Sequence, residues 1–163
     1  MRQTSTERPQ AVAVSAGIKE WYLTVNTDIR ETENGYEYLS KSVTLDHYPT
    51  MADVKQAVWD CINDKTDEKI LMGFVWNGKP VWLSMENQFN YKATYDLAVQ
   101  KNGSNLPVKF KLGNDANGNP VYHTFTSMNA FSDFYTSTTD YIHQCVVDGW
   151  AEKDSVDWTE YTL

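Results

Sequence analysis

The run Phe74-Val75-Trp76-Asn77-Gly78-Lys79-Pro80-Val81-Trp82-Leu83 leaves its backbone few choices. Asn-Gly between two short runs of aromatic and β-branched residues supplies the positive φ angles that a tight hairpin turn demands. Ser84 follows as an N-cap, Met85, Phe89, Ala93 and Leu97 recur every fourth residue as an apolar helical face, and Asn102-Gly103 ends the helix. Trp76 and Trp82 flank the turn almost symmetrically, which predicts cross-strand partners on one face of the sheet.

The same strand, turn, strand, helix order is expected twice more. Trp21–Val25 and Tyr36–Leu39 flank a polar stretch ending in Asn34-Gly35, and Val43-Thr44-Leu45 continues the second strand. Thr50 stands three residues before Asp53, the spacing of a capping box, and Val54, Ala57, Val58, Cys61 and Ile62 share one helical face. Later, Val108–Leu112 alternates apolar and polar, 113–120 turns the chain, and Val121–Phe125 returns. Ser127 caps a last helix carrying Met128, Phe131, Phe134, Tyr135, Tyr141, Ile142, Cys145 and Val146, with Gly149 as its expected end. Asn77-Gly78-Lys79-Pro80-Val81-Trp82 and Asn117-Gly118-Asn119-Pro120-Val121-Tyr122 match in letters, either by duplication or because hairpin turns draw on the same few residues. The expected fold is α+β: an antiparallel sheet built from hairpins, with helices packed on one face in repeated β-β-α units.

Residues 1–17 form an expected N-terminal arm, 18–149 a single α+β domain and 150–163 a C-terminal docking segment. The arm is small and polar, so something must hold it: its own domain or a neighbouring chain. The tail is too polar for a core element yet carries Trp150, Trp158 and Tyr161. These three rings, with Arg2 and Arg8 of the arm, are the candidate partner-binding residues. Trp76 and Trp82 are candidates for an aromatic surface that docks a partner or stacks on a sugar.

The formal net charge of −8 argues against a chain that tracks nucleic-acid phosphates or rests on anionic lipid. No run of eighteen apolar residues predicts a membrane span, and Met1–Pro9 lacks the apolar stretch of a secretory signal. Cys61 and Cys145 read as reduced core thiols. His143 and Cys145, two apart, would point about 200° from each other on a helix, so they form neither a metal pair nor a dyad. Asp115-Ala116-Asn117-Gly118-Asn119 is closer to a plain turn than to a calcium loop. Asp60, Asp64, Asp67 and Glu68 read as a solvated helix end. No nucleophile elbow or phosphate-cradling loop is present in the sequence. The expectation is a non-enzyme without metal or cofactor.

From Gly73 to about Tyr161, the hairpin Gly73–Ser84, the helix, the second hairpin and the long helix ending in Gly149-Trp150-Ala151-Glu152-Lys153-Asp154 resemble a small domain found in bacteriophage and prophage proteins, often beside tail-fibre genes. The stretch is also similar to proteins of Bacteroides-type gut bacteria and their phages. The resemblance implies a virion protein made in the host bacterial cytoplasm: a tail, fibre, neck or capsid-associated component that contacts other virion proteins and forms a homo-oligomer. Alternatives are a glycan- or receptor-binding module using exposed Trp and Tyr, and an assembly chaperone.

Overall fold

The computed structural model describes residues 2–163 and is α+β, with three helices and only antiparallel strand pairs. The chain divides into two compact units, 1–65 with 149–163, and 66–148, in place of the single domain expected between 18 and 149.

Unit 1 is built on a sheet of β1 (Arg2–Ser5), β2 (Val12–Ala16), β3 (Trp21–Thr32) and β4 (Gly35–Leu45), in the order β1-β4-β3-β2. The central pair is the expected hairpin. Its register runs from Trp21 opposite Leu45 to Thr32 opposite Gly35, with a bulge between Thr27 and Arg30. Gly35 is needed at the turn: its φ is 128°, and an added Cβ would stand 2.2 Å from the Ser5 carbonyl oxygen. The expected arm is not an arm. Its two halves supply both edge strands, β1 along β4 and β2 along β3. Val12 and Val14 alternate with Ala13 and Ser15, and the two valines pack on the core of Leu23, Val25, Val54, Ala57, Val58 and Ile62.

The helix α1 (Met51–Met72) begins as its sequence dictates. The Thr50 N–H donates to Asp53 Oδ2 at 2.8 Å, and the Asp53 N–H reaches back to Thr50 Oγ1 at 3.4 Å. Its buried residues are Val54, Ala57, Val58, Cys61 and Ile62, the face read from spacing. Cys61 Sγ lies 3.3 Å from Thr27 Oγ1, so this thiol belongs to the core of unit 1.

Unit 2 contains two hairpins, β5 (Phe74–Trp76) with β6 (Lys79–Val81) and β7 (Val108–Asn114) with β8 (Pro120–Phe125), together with α2 (Met85–Gln100) and most of α3 (Met128–Asp154). Asn77 and Gly78, at φ 48° and 71°, make the tight turn that the sequence announces. Trp82 N–H donates to the Leu112 carbonyl at 2.7 Å and links the two hairpins. Gly113 permits this approach, because an added Cβ would sit 2.9 Å from the Pro80 oxygen. Phe74, Trp76, Val81, Leu83, Tyr91, Ala98, Leu112, Phe125, Phe131 and Phe134 close over one core.

Three expectations fail here for local reasons. In the register Trp76 opposes Lys79, and Trp82 lies beyond β6. Trp76 is therefore buried and Trp82 is 44% exposed, and they are not cross-strand partners. Gly149 does not end α3, which continues to Asp154: glycine favours a helix end where the chain turns to positive φ, and Gly149 keeps helical φ. The apolar face read on α2 points outward: Met85 is 82% exposed and Phe89 70%, while Tyr91 and Ala98 face the core.

Candidate functional site

The outward turn of α2 creates the most distinctive surface of unit 2. Ser84 fixes the start of the helix by accepting from the Asn87 N–H, and Gln88 Nε2 donates to the Leu83 carbonyl at 2.7 Å. Tyr91 is the inward anchor, edge-on to Phe110 and Phe134 with ring centroids 5.0 Å away in each case. Anchored this way, α2 carries Met85 and Phe89 along the side that borders α3. Together with Tyr135, Ile142 and Val146 they line a groove of about 500 Å³.

Two hydroxyls buried beneath this region, Tyr91 Oη and Thr138 Oγ1, have almost no accessible surface and no hydrogen-bond partner among the described residues. Their residues are 2% and 4% exposed. Burial pushes the Tyr91 phenol up to about 12, so it is a neutral donor and acceptor at any ordinary pH. Lys92 and His143 also line the groove, and the Lys92 ammonium is occupied by Asp96 at 2.7 Å. His143 lies along the groove while Cys145 is buried, which separates them as helical spacing requires.

A smaller hollow of about 290 Å³ lies beside Trp82, lined by Asn87, Lys111, Leu112, Gly113 and Asn114. Asn87 Nδ2 donates to the Trp82 carbonyl at 2.8 Å and steadies one wall. Trp76, the other candidate of the aromatic surface, faces the core: its Nε1–H donates to Asp133 Oδ2 at 2.9 Å, and it stands edge-on to Phe134 and His123. Burial, and then the neighbouring Lys79 charge, pull the His123 imidazole below its ordinary range, so it accepts from Lys79 Nζ at 2.8 Å as a neutral ring.

Most residues expected to bind a partner are engaged inside unit 1. Arg2 pairs with Asp28 at 2.8 Å, beside Arg30 at 2.8 Å and Lys65 at 3.6 Å, and Lys65 also holds Glu152 at 2.8 Å. Asp28 sits at the β3 bulge with φ 51°, a conformation aspartate tolerates. Burial pushes its carboxyl up, but Arg2, Lys65 and Arg30 outweigh that and hold it below the usual range. Tyr161 is 9% exposed and its hydroxyl reaches the Asn26 carbonyl oxygen at 3.4 Å. Trp158 packs on the same core, edge-on to Trp59 at 6.1 Å, with Lys55 Nζ 5.3 Å from its ring centroid. The C-terminal docking segment is thus the end of α3 and a short 3-10 helix (Trp158–Glu160) folded onto its own unit. Of the five partner-binding candidates Trp150, 58% exposed, and Arg8 present themselves to solvent, while Arg2 is exposed but held in its ion pair with Asp28.

The loop 115–119 is a turn held by one carboxylate. Asp115 Oδ1 accepts from the N–H of Asn117 at 2.9 Å and of Asn119 at 2.8 Å, so the oxygen a cation would need is spent on the backbone. Among the described residues no group of three His, Cys, Asp or Glu side chains is arranged to hold a metal, and no helix is long and apolar enough to cross a membrane. Sequence reasoning missed the groove because it assigned Met85 and Phe89 to the interior. The signal that could have found it is Tyr91 with Ala98, seven apart, which define a second and better-buried line on α2.

No protein-family model matches the chain, and neither a curated protein nor a solved structure matches it.

Proposed function

We propose that this chain is a non-enzymatic structural protein of a bacteriophage particle, acting by docking other virion proteins and further copies of itself. The observation that carries the reading is the apolar side of α2: Met85 and Phe89 stand in solvent beside a groove, an arrangement that costs solubility unless another chain covers it. The resemblance of residues 73–161 to phage-encoded domains supplies the particle. Mass spectrometry of particles purified from a lysogen carrying the gene tests it directly. The chain should be present at a fixed copy number, and should be lost from particles when Phe89→Lys is introduced. Its absence from mature particles would point to the chaperone role, and full incorporation of the Phe89→Lys chain would remove the α2 surface from the account.

A second reading rests on Trp82. Its exposed indole beside Asn87, Lys111 and Asn114 has the makeup of a sugar-stacking site, a ring with polar groups at its rim. Titrating host polysaccharide against tryptophan emission, with Trp82→Phe as the control, tests this. A saturable change that the variant abolishes would support it.

A further inference from the structure

We infer that the hollow beside Trp82 takes a carboxylated sugar ring, a hexuronate residue within a polysaccharide. The inference rests on the sugar reading of Trp82 given above and adds the charge of the sugar. Trp82, Lys111 and Asn114 of the lining are exposed and Asn87 is half-buried, so a ligand can reach each of them.

Strand alternation brings these groups to one face. Val81 and Leu83 turn into the core of unit 2, and Trp82 between them turns out. The Trp82 N–H bond to the Leu112 carbonyl lays this stretch along β7, where Leu112 is buried and Lys111 is exposed. Lys111 stands opposite Tyr122, also exposed, and Lys109 Nζ lies 4.6 Å from the Tyr122 ring centroid. The outer side of the hairpins therefore presents two aromatic rings and two ammonium groups.

Those ammonium groups lack counter-charges. Elsewhere in unit 2, Lys69 is paired with Asp148 and Lys92 with Asp96. Lys109 and Lys111 form no ion pair among the described residues. The carboxylate just beyond β7, Asp115, gives Oδ1 to the Asn117 and Asn119 N–H groups and Oδ2 to the Asn119 side chain. Glu86, in the first turn of α2, does not line the hollow. A chain of net charge −8 thus keeps an unneutralised cation beside an exposed indole.

The combination selects among occupants. An apolar peptide would cover the indole but strip water from Lys111, Asn87 and Asn114 without replacing it. A small inorganic anion would meet Lys111 and leave the indole bare. A single-stranded nucleic acid could stack on Trp82, but tracking its phosphates takes a basic groove, and this face offers two lysines. A hexuronate uses every group: its C–H face lies on the indole, its hydroxyls meet the two asparagines, and its carboxylate meets Lys111. The volume of about 290 Å³ stands at the lower end of the ~300–1,000 Å³ of ligand pockets, room for one ring with the rest of the polymer running outside.

The experiment uses the full chain and isothermal titration calorimetry at low salt. The probes are tetragalacturonate and tetramannuronate, each as the free acid and as its methyl ester, which keeps the rings and removes the charge. One of the acids should bind about tenfold tighter than its ester. Lys111→Gln should bring acid and ester to equal affinity, Trp82→Ala should weaken both, and Lys101→Gln, on the far end of α2, should leave the preference intact. Equal affinity of acid and ester for the native chain overturns the inference while leaving the sugar reading in place. So does loss of the preference in Lys101→Gln, because the attraction would then belong to the whole chain. No binding of any probe at millimolar concentration overturns the inference and the sugar reading together. Tighter binding of a fifteen-nucleotide oligothymidylate, lost in Trp82→Ala, would give the face to nucleic acid instead.

Discussion

Phe89 and Tyr91 stand two residues apart on α2 and on different sides of it: the phenylalanine ring is 70% exposed, and the tyrosine is 2% exposed with an unpartnered hydroxyl. This reverses the order in which a hydropathy scale would bury them. Replacing Phe89 with Ser should change unfolding free energy by no more than about 0.5 kcal/mol, because the ring contributes little to the core. Tyr91→Phe should be neutral or stabilising by about 1 kcal/mol, since it removes a buried hydroxyl that has no bond to lose. Urea denaturation of both variants checks the pair. A large loss on Phe89→Ser would mean that the ring is covered.

Residues 2–16 are expected to be structural. Deleting them removes both edge strands of unit 1 and uncovers the core at Val12 and Val14. Amide hydrogen exchange in β3 and β4 should accelerate by orders of magnitude, because each of these strands would lose a hydrogen-bonded neighbour. Unchanged protection would mean that the central hairpin holds by itself.

The start of α1 should titrate. The Thr50 hydroxyl, then its backbone N–H, then His47 hold the Asp53 carboxyl down at about 2. A folded value depressed in this way gives stability that is present above the unfolded value of about 4 and is lost as pH falls towards about 2. Thr50→Ala should cost about 1 kcal/mol at neutral pH, with the difference from the native chain shrinking below about pH 3. Thermal melts across pH 2–7 read this.

Asp28 should behave in the same direction for a different reason. Three cations surround it, so its depressed carboxyl contributes stability above about pH 4 that disappears on acidification. Asp28→Asn leaves Arg2, Arg30 and Lys65 facing one another without their common counter-charge. The variant should be less stable than the native chain at pH 7, with the gap closing as pH falls and the native carboxyl takes up its proton. Added salt should narrow the gap at pH 7 by screening the cations.

Trp76 and Trp82 should separate in quenching. Acrylamide should reach Trp82, 44% exposed, and largely spare Trp76, 6% exposed. Comparing Trp82→Phe and Trp76→Phe assigns each component. Asp133→Ala should also shift the buried component, because the Trp76 indole N–H then loses its acceptor.

What could be read from the letters was what short-range chemistry decides. Asn77-Gly78 admits one kind of turn, Ser84 and Thr50 cap helices through atoms three residues away, and the buried face of α1 follows from its own periodicity. What could not be read depended on partners far along the chain. Val12-Ala13-Val14-Ser15 alternates as a strand should, yet nothing nearby shows that β3 is waiting for it. Arg2 looked free because Asp28, its counter-ion, is 26 residues on. The stripe on α2 was seen correctly as apolar, but periodicity reports that a face is greasy without saying that anything covers it. The groove was therefore half legible: Met85 and Phe89 stood out as apolar, while their exposure followed only from Tyr91 and Ala98 taking the inward side of α2.

The contact between Tyr161 and the Asn26 carbonyl joins positions 135 residues apart in a unit whose sheet is laid down by residue 45. On the ribosome, β3 and β4 must wait with one flank open until almost the whole of this stretch has been translated. A chain cut short before Val156 would still lay α1 on the hairpin, but the flank that Val156, Trp158 and Tyr161 cover would stay open. Such fragments should be stickier and more quickly degraded than the longer chain, because that flank stays open to water.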